Sequence, residues 1–382
     1  MTVMARHFSP ECLAICQEGG GMKQLISYIA PSAPARRRPA RGGEPFLRPE
    51  VGFTPKWFRD ALGIDFGERW HRDPAYRRET LKLMAHELKR RFGDRGIGWI
   101  ENPDEPMDLL TGVYGACPVA AIYGIPIIYT SDNWPRCAHE YLSPQEIERL
   151  EPPDLDSNPF FNELMEQVEW IERELGRVEG YINWQGVLNN AYRLRGEGIF
   201  TDMILHPERA KHLFDCVFQT MVEGIKRLHE SQRQTGVEVD FCTVSNCLVN
   251  MISPKQYEEF LLPFDSKFAE IFGTIGIHNC AWDATPYLPI YATVPNVGYI
   301  DMGIETDLAL AKKLFPKARR AIMYNPKDLA TKSIKEIRDD LERIARECGP
   351  CDLVLADIES GTPDERVIEV MELCDEISVR EG

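Results

Sequence analysis

The chain has 382 residues, 43% hydrophobic and 27% charged, enough for one large domain or two ordinary ones with a proper core. A net charge of −16 argues against a nucleic-acid binder, because phosphate neutralisation needs a basic surface. Eleven scattered cysteines exclude the disulfide framework of a small secreted domain and point to reduced thiols in a cytoplasm; no apolar run is long enough for a bilayer, and the first residues lack a signal-peptide core.

Residues 1–48 read as an N-terminal extension or arm, with a basic, Pro/Gly-rich run from Ala35 to Gly43. Residues 49–382 read as the folded body. Thr54-Pro55 opens a helix, residues 74–92 form a charged amphipathic helix, and Ile97 to Ile100 suggests a short strand. Gly124 to Thr130 reads as a buried strand, and Ser143-Pro144-Gln145-Glu146 as a capping box. Leu164, Val168, Ile171, Leu175 and Val178 mark one helical face.

From Gly180 a repeating pattern sets in. Strands are expected at Gly180–Trp184, Val239–Ser245, Thr274–His278, Val297–Asp301, Arg320–Tyr324 and Asp352–Ala356, with helices between them. Such alternation means a parallel sheet covered by helices, either open and doubly wound or closed into a barrel. No G-x-G-x-x-G follows a strand, so the dinucleotide-binding form of the open sheet loses its main support. The expected fold class is therefore α/β, a (β/α)8 TIM barrel with an N-terminal extension.

Barrel active sites lie on the loops after the strands' C-terminal ends. Polar residues collect there, at Trp184-Gln185, Ser245-Asn246-Cys247, His278-Asn279-Cys280, Asp301, Tyr324-Asn325 and Asp357. His278-x-Cys280 at a strand tip can present an imidazole and a thiolate together, a start for a soft-metal site. Cys247, or less readily Cys242, from the preceding strand, can join them, and Asp301 and Asp357 are the acidic alternatives. Such a zinc site with an open position would activate a thiol. Trp184, Gln185 and Asn246 are expected to bind substrate, and Asp240 and Tyr324 to serve in catalysis. Cys348-Gly349-Pro350-Cys351 has dithiol spacing but ends a helix on the opposite face, so it reads as structural.

Gly186-Val187-Leu188-Asn189-Asn190-Ala191, His206-Pro207-Glu208, the run from Ile252 to Pro263, His278-Asn279-Cys280 and Gly361-Thr362-Pro363-Asp364 resemble the uroporphyrinogen decarboxylase superfamily. The resemblance implies a (β/α)8 barrel. The decarboxylase branch carries an arginine-containing R-Q-A-G-R segment that this chain lacks, and it needs no metal. The methyltransferase branch, which includes corrinoid:coenzyme M methyltransferases, holds zinc with H-x-C and a later Cys. That later Cys would fall near Ala356-Asp357, where this chain has none. Cobalamin-independent methionine synthase is similar at this site, with an acidic ligand on the next strand, a place comparable to Asp301.

The expected function is thus a zinc-dependent methyltransferase of the corrinoid-linked type, with a methyl-corrinoid supplied by a partner protein. The alternatives are a metal-free decarboxylase or lyase acting on a carboxylated substrate, and a non-catalytic binding barrel. A small-molecule substrate, no nucleic acid, no membrane, and a monomer or homodimer in the cytoplasm complete the expectation.

Overall fold

The computed structural model describes residues 45–93, 95, 97, 104 and 108–381. The basic run of the expected arm, and most of the expected strand at Ile97–Ile100, lie outside the described residues. Six parallel strands form one sheet in the order β1 (Leu47–Phe53), β8 (Cys351–Ile358), β7 (Arg319–Tyr324), β6 (Val297–Gly303), β5 (Thr274–His278) and β4 (Phe241–Ser245). β1 begins two residues before the expected edge of the folded body. Sequence reading missed it because Arg48, Pro49 and Glu50 interrupt its apolar pattern, and the structure buries Glu50 on its inward side.

Two extended segments stand between β1 and β4. Asp108 and Glu179 form a single parallel bridge, and Gly180 is pressed so close that a Cβ would lie 2.4 Å from Asp108 Oδ1. The Gln232 amide donates to the carbonyls of Val178 and Gly180 at 3.3 and 2.9 Å. With the six ladder strands, these segments make the eight staves of a (β/α)8 barrel. Gly180–Trp184 is therefore in strand position without ladder bonds. Side chains satisfy part of its backbone instead, as buried backbone polar groups require.

The helices start where their caps foretell. Thr54, Asn158 and Asp307 each accept from a backbone N–H two or three residues into the helix, and Ser143, Ser253 and Ser333 form full capping boxes. The helix Pro159–Leu175 ends at Gly176, in the left-handed conformation, so Val178 lies beyond it. The expected buried strand Gly124–Thr130 is a correction. Only Ile127–Ile128 (β2) is a strand, half-buried and antiparallel to Arg136–Cys137 (β3). Pro126 and Pro135 flank this hairpin and lack the N–H groups that would extend it.

The core has two compartments, as strand alternation demands. Outward-facing strand residues pack under the helices. Inward-facing Phe241, Tyr299, Ala321, Val354 and Ala356, with Met323, fill the barrel. Gly276 faces inward as well, and a Cβ there would come within 2.4 Å of Thr243 Oγ1 and 2.8 Å of the Phe241 ring. Its missing side chain is what lets Phe241 occupy the middle of the barrel.

Candidate metal centre at the C-terminal ends of the strands

The site follows from strand register. Ser245 pairs with His278, and Ile277 pairs with Ile300, which sets His278 beside Asp301. The Asn246 N–H donates to the His278 carbonyl at 2.7 Å, so the chain leaves β4 still tied to β5 and delivers Cys247 over the barrel mouth. Cys280 does not share the strand with His278, as the two-residue spacing alone would have it. The strand stops at His278, and Cys280 sits at φ +60°, turning its thiol back over the imidazole. A non-glycine residue in that region stores on the order of 1 kcal/mol, a cost often met at functional sites.

Cys247, His278 and Cys280 each bring one ligand atom to within 4.8 Å of the other two, and they are the one such group among the described residues. Cys280 donates its S–H to Cys247 Sγ at 2.9 Å, and its sulfur lies 3.1 Å from His278 Nε2. His278 Nδ1 lies 2.6 Å from Asp301 Oδ2. A proton on Nδ1 completes this contact, which aims Nε2 at the thiols.

Asp301 is fully buried, accepts from the Asn279 N–H at 2.7 Å and from the Tyr299 hydroxyl at 2.7 Å, and is thereby spoken for. It fixes the orientation of the imidazole, as the usual partner of a metal-binding histidine does. Asn279 is held in turn by its own amide to the Asp301 carbonyl and by the Tyr291 hydroxyl.

Electrostatics favour a second proton on this imidazole, at Nε2, which a metal would have to displace. Burial disfavours a charged imidazole, yet Asp301 and the two sulfurs outweigh it and raise the His278 pKa well above 6.5. The hydrogen bond to Cys280 holds Cys247 well below the usual thiol range, and the same bond pushes Cys280 up.

Zinc fits this donor set. Two sulfurs and one imidazole nitrogen are soft-to-borderline ligands, and a tetrahedral zinc would set them about 3.5–3.8 Å apart, a small opening from the distances above. Three protein ligands leave one position for a substrate. Asp301 and Asp357, expected as alternative ligands, are not among the converging atoms. Asp357 is exposed, stands at φ +52° and hydrogen-bonds Trp134; crowding at the mouth still raises its pKa.

The remaining expected site residues divide by strand parity. Gln185, at φ +62°, closes onto Asn183 and Asn189 and lines a cleft of about 370 Å³ together with Cys247, Asn189 and Arg193. Gly186 beside it allows this approach, since a Cβ would meet the Ser245 carbonyl oxygen at 2.3 Å. Asn246 points outward and donates to the buried Asp265 at 2.9 Å, so it does not line the cleft. Trp184 is buried against Gly224 of the helix Pro207–Gln234 and lines a small cavity of about 40 Å³ with Phe241 and Cys242, not the cleft beside Cys247.

Tyr324 alternates outward with Ile322 and Arg320, and its hydroxyl donates to Asp340 at 2.6 Å in the helix layer. Asp240 is exposed and precedes β4, so it lies at the opposite end of the barrel from His278. Neither candidate for catalysis reaches the cluster.

Sequence reading placed Asn279 at the strand end without a role, and missed Tyr291, Tyr299 and Asp265. Asp265 accepts from Tyr257 at 2.6 Å and from Asn246, and burial raises its pKa to about 6. The spacing of Tyr257 and Asp265 across the turn at Leu261 carries no local signal, because the two meet through tertiary packing.

A protein-family model for uroporphyrinogen decarboxylase (URO-D) matches residues 106–376. The chain belongs to that family. Among solved structures, this URO-D family member is similar to a methyltransferase from Methanosarcina mazei, with a TM-score of 0.62 and 16% identity over 87% of this chain and 94% of the other. At that identity the likeness is one of fold. No curated protein matches the sequence. No helix among the described residues is long and apolar enough to cross a membrane.

Proposed function

We propose that this URO-D family member is a methyltransferase that holds zinc through Cys247, His278 and Cys280 and passes a methyl group to a small thiol, with a methyl-corrinoid on a partner protein as donor. The observation that carries this reading is the convergence of one imidazole and two thiols at the barrel mouth with Asp301 fixing the imidazole's orientation. A bound zinc ion would lower the pKa of a substrate thiol, making it a nucleophile at neutral pH.

The chain's own residues do the rest. Asp301 keeps a proton on Nδ1 and so aims Nε2 at the metal position, and Asn279 and Tyr291 hold Asp301 and the Cys280 turn in place. Gln185, Asn189 and Arg193 shape the cleft where the acceptor would lie. Among the described residues, Arg136 and Arg193 line this cleft and no carboxylate does, which favours an acceptor carrying negative charge. Of the groups a metal-free lyase would use, Asp240 and arginines, the fold carries Asp240 to the other end of the barrel, while Arg136 and Arg193 line the cleft.

Elemental analysis of protein purified without added metal tests the reading. Close to one zinc per chain is expected, lost in His278→Ala and in Cys247→Ser. A content below about a tenth of an equivalent that those substitutions leave unchanged would remove the premise. Release of carbon dioxide from a carboxylated tetrapyrrole, with no methyl transfer, would favour the lyase instead.

A further inference from the structure

Six of the nine free thiols among the described residues stand in pairs. Cys247 and Cys280 belong to the candidate metal centre. Cys348 and Cys351 are hydrogen-bonded to each other but sealed, at 0% and 5% exposure, beneath the end of the helix Ile334–Cys348. The third pair differs from both. Cys117 caps the short helix Pro118–Ile122, Cys137 lies on β3, and both line the cleft that contains Cys247.

The packing that joins them is tight. The Cys117 thiol lies 3.6 Å from the Pro135 carbonyl, two residues before Cys137. A Cβ on Gly115 would sit 3.1 Å from the Pro135 ring, so the loop before Cys117 is pressed against the hairpin. Cys117 is 1% exposed, whereas Cys137 is half-buried and open to the cleft.

We propose that Cys117 and Cys137 are a modification site, forming a reversible disulfide in the cleft wall with small-molecule disulfides as the oxidant. Cys137 is the attacking thiolate. The neighbouring Cys117 thiol and the Arg193 guanidinium beside it lower its pKa against the opposing effect of burial. The Cys137 sulfur bonds to one sulfur of RS–SR, and that S–S bond breaks to expel RS⁻, which takes a proton from solvent. Cys117 then loses its proton and attacks the Cys137 sulfur, expelling the second RS⁻. Two protein thiols are oxidised and one small disulfide becomes two thiols. The link ties the loop Gly112–Cys117 to the β2–β3 hairpin across the cleft from Gln185 and Cys247. It needs no metal and does not depend on the methyltransferase reading.

Full-length reduced protein is titrated with glutathione disulfide, and separately with the smaller bis(2-hydroxyethyl) disulfide, then alkylated and peptide-mapped. With at least the smaller oxidant, the Cys117–Cys137 linkage is expected to form about tenfold or more faster than Cys348–Cys351, because only the former can be reached from the cleft. It is expected with or without added zinc. In Cys137→Ser, Cys117 is expected to stay unmodified, and Arg193→Gln is expected to slow linkage severalfold. Recovery of Cys117 and Cys137 as separately alkylated residues with both oxidants, or linkage of Cys348–Cys351 first, would overturn the proposal. Equal reactivity of Cys117 in Cys137→Ser would overturn the order of attack.

Discussion

Two polar clusters occupy the two ends of the same barrel, and their difference explains which one is built for a ligand. At the end where the strands begin, Arg48, Glu50, Arg319 and Asp352 all face inward. Arg48 reaches Asp352 at 2.5 Å, and Arg319 reaches Glu50 at 3.0 Å. Arg319 also bonds the other Asp352 oxygen, at 2.5 Å. Charge balances charge there, and strong donors meet strong acceptors. At the other end, the thiols and imidazole of Cys247, Cys280 and His278 satisfy one another through sulfur, a weak donor and a weak acceptor. Exchanging those contacts for metal bonds costs little. The chemistry of the donors separates the two ends.

Asp352→Ala tests the first end. It would leave Arg48 and Arg319 buried without this carboxylate, and unfolding free energy is expected to fall by about 3–5 kcal/mol in urea denaturation. The metal content of the folded fraction is expected to stay at the wild-type level. Loss of metal with stability intact would erase the distinction between the two ends.

Asp265→Asn comes next. Burial raises this carboxyl from 3.8 to about 6, so between those values the native state holds more protons than the unfolded state. The stability this group contributes is fully present below about pH 3.8 and is lost as pH rises through about 6. The asparagine does not titrate. The stability difference between wild type and variant should therefore move against the wild type by on the order of 2–3 kcal/mol between pH 4 and 7.5. A flat difference across that range would show that Asp265 does not titrate there.

Asp301→Asn tests the second end directly. Losing the partner that orients His278 should weaken zinc binding 10- to 100-fold in competition with a chelator. Unchanged affinity would mean that the imidazole needs no orienting group. The smallest effect is expected for Tyr324→Phe. Its bond to Asp340 is worth about 1 kcal/mol of stability, and neither metal binding nor methyl transfer should change, because the hydroxyl faces the helix layer. A loss of transfer with metal retained would return Tyr324 to the catalytic list.

Much of the barrel was legible residue by residue. The capping boxes at Ser143, Ser253 and Ser333 and the five strands from β4 to β8 are local patterns, and they stand where the sequence puts them. β1 and the segment Gly180–Trp184 were misread for opposite reasons. The first is a ladder strand whose inward positions are charged, and the second has a strand's alternation without a ladder partner on each side. Within the site, His278 and Cys280 carried a local signal, whereas Asn279, Tyr291 and Asp265 did not, since each acts through contacts formed only on packing.

What the sequence by itself determined is the alternation of short apolar strands with capped helices and an imidazole and thiol at one strand's tip. Those are properties of neighbours along the chain, governed by side-chain period and by the backbone groups a helix end must satisfy. The tertiary structure decided which distant residue completes the cluster and which do not. Register between β4 and β5 brings Cys247 to His278, and β6 supplies Asp301 as the imidazole's partner. Strand parity sends Asn246 and Tyr324 outward, and the direction of β4 leaves Asp240 at the far end. A one-residue change of register would reverse each of these inward and outward assignments, and no stretch of sequence read alone contains the partner strand that sets it.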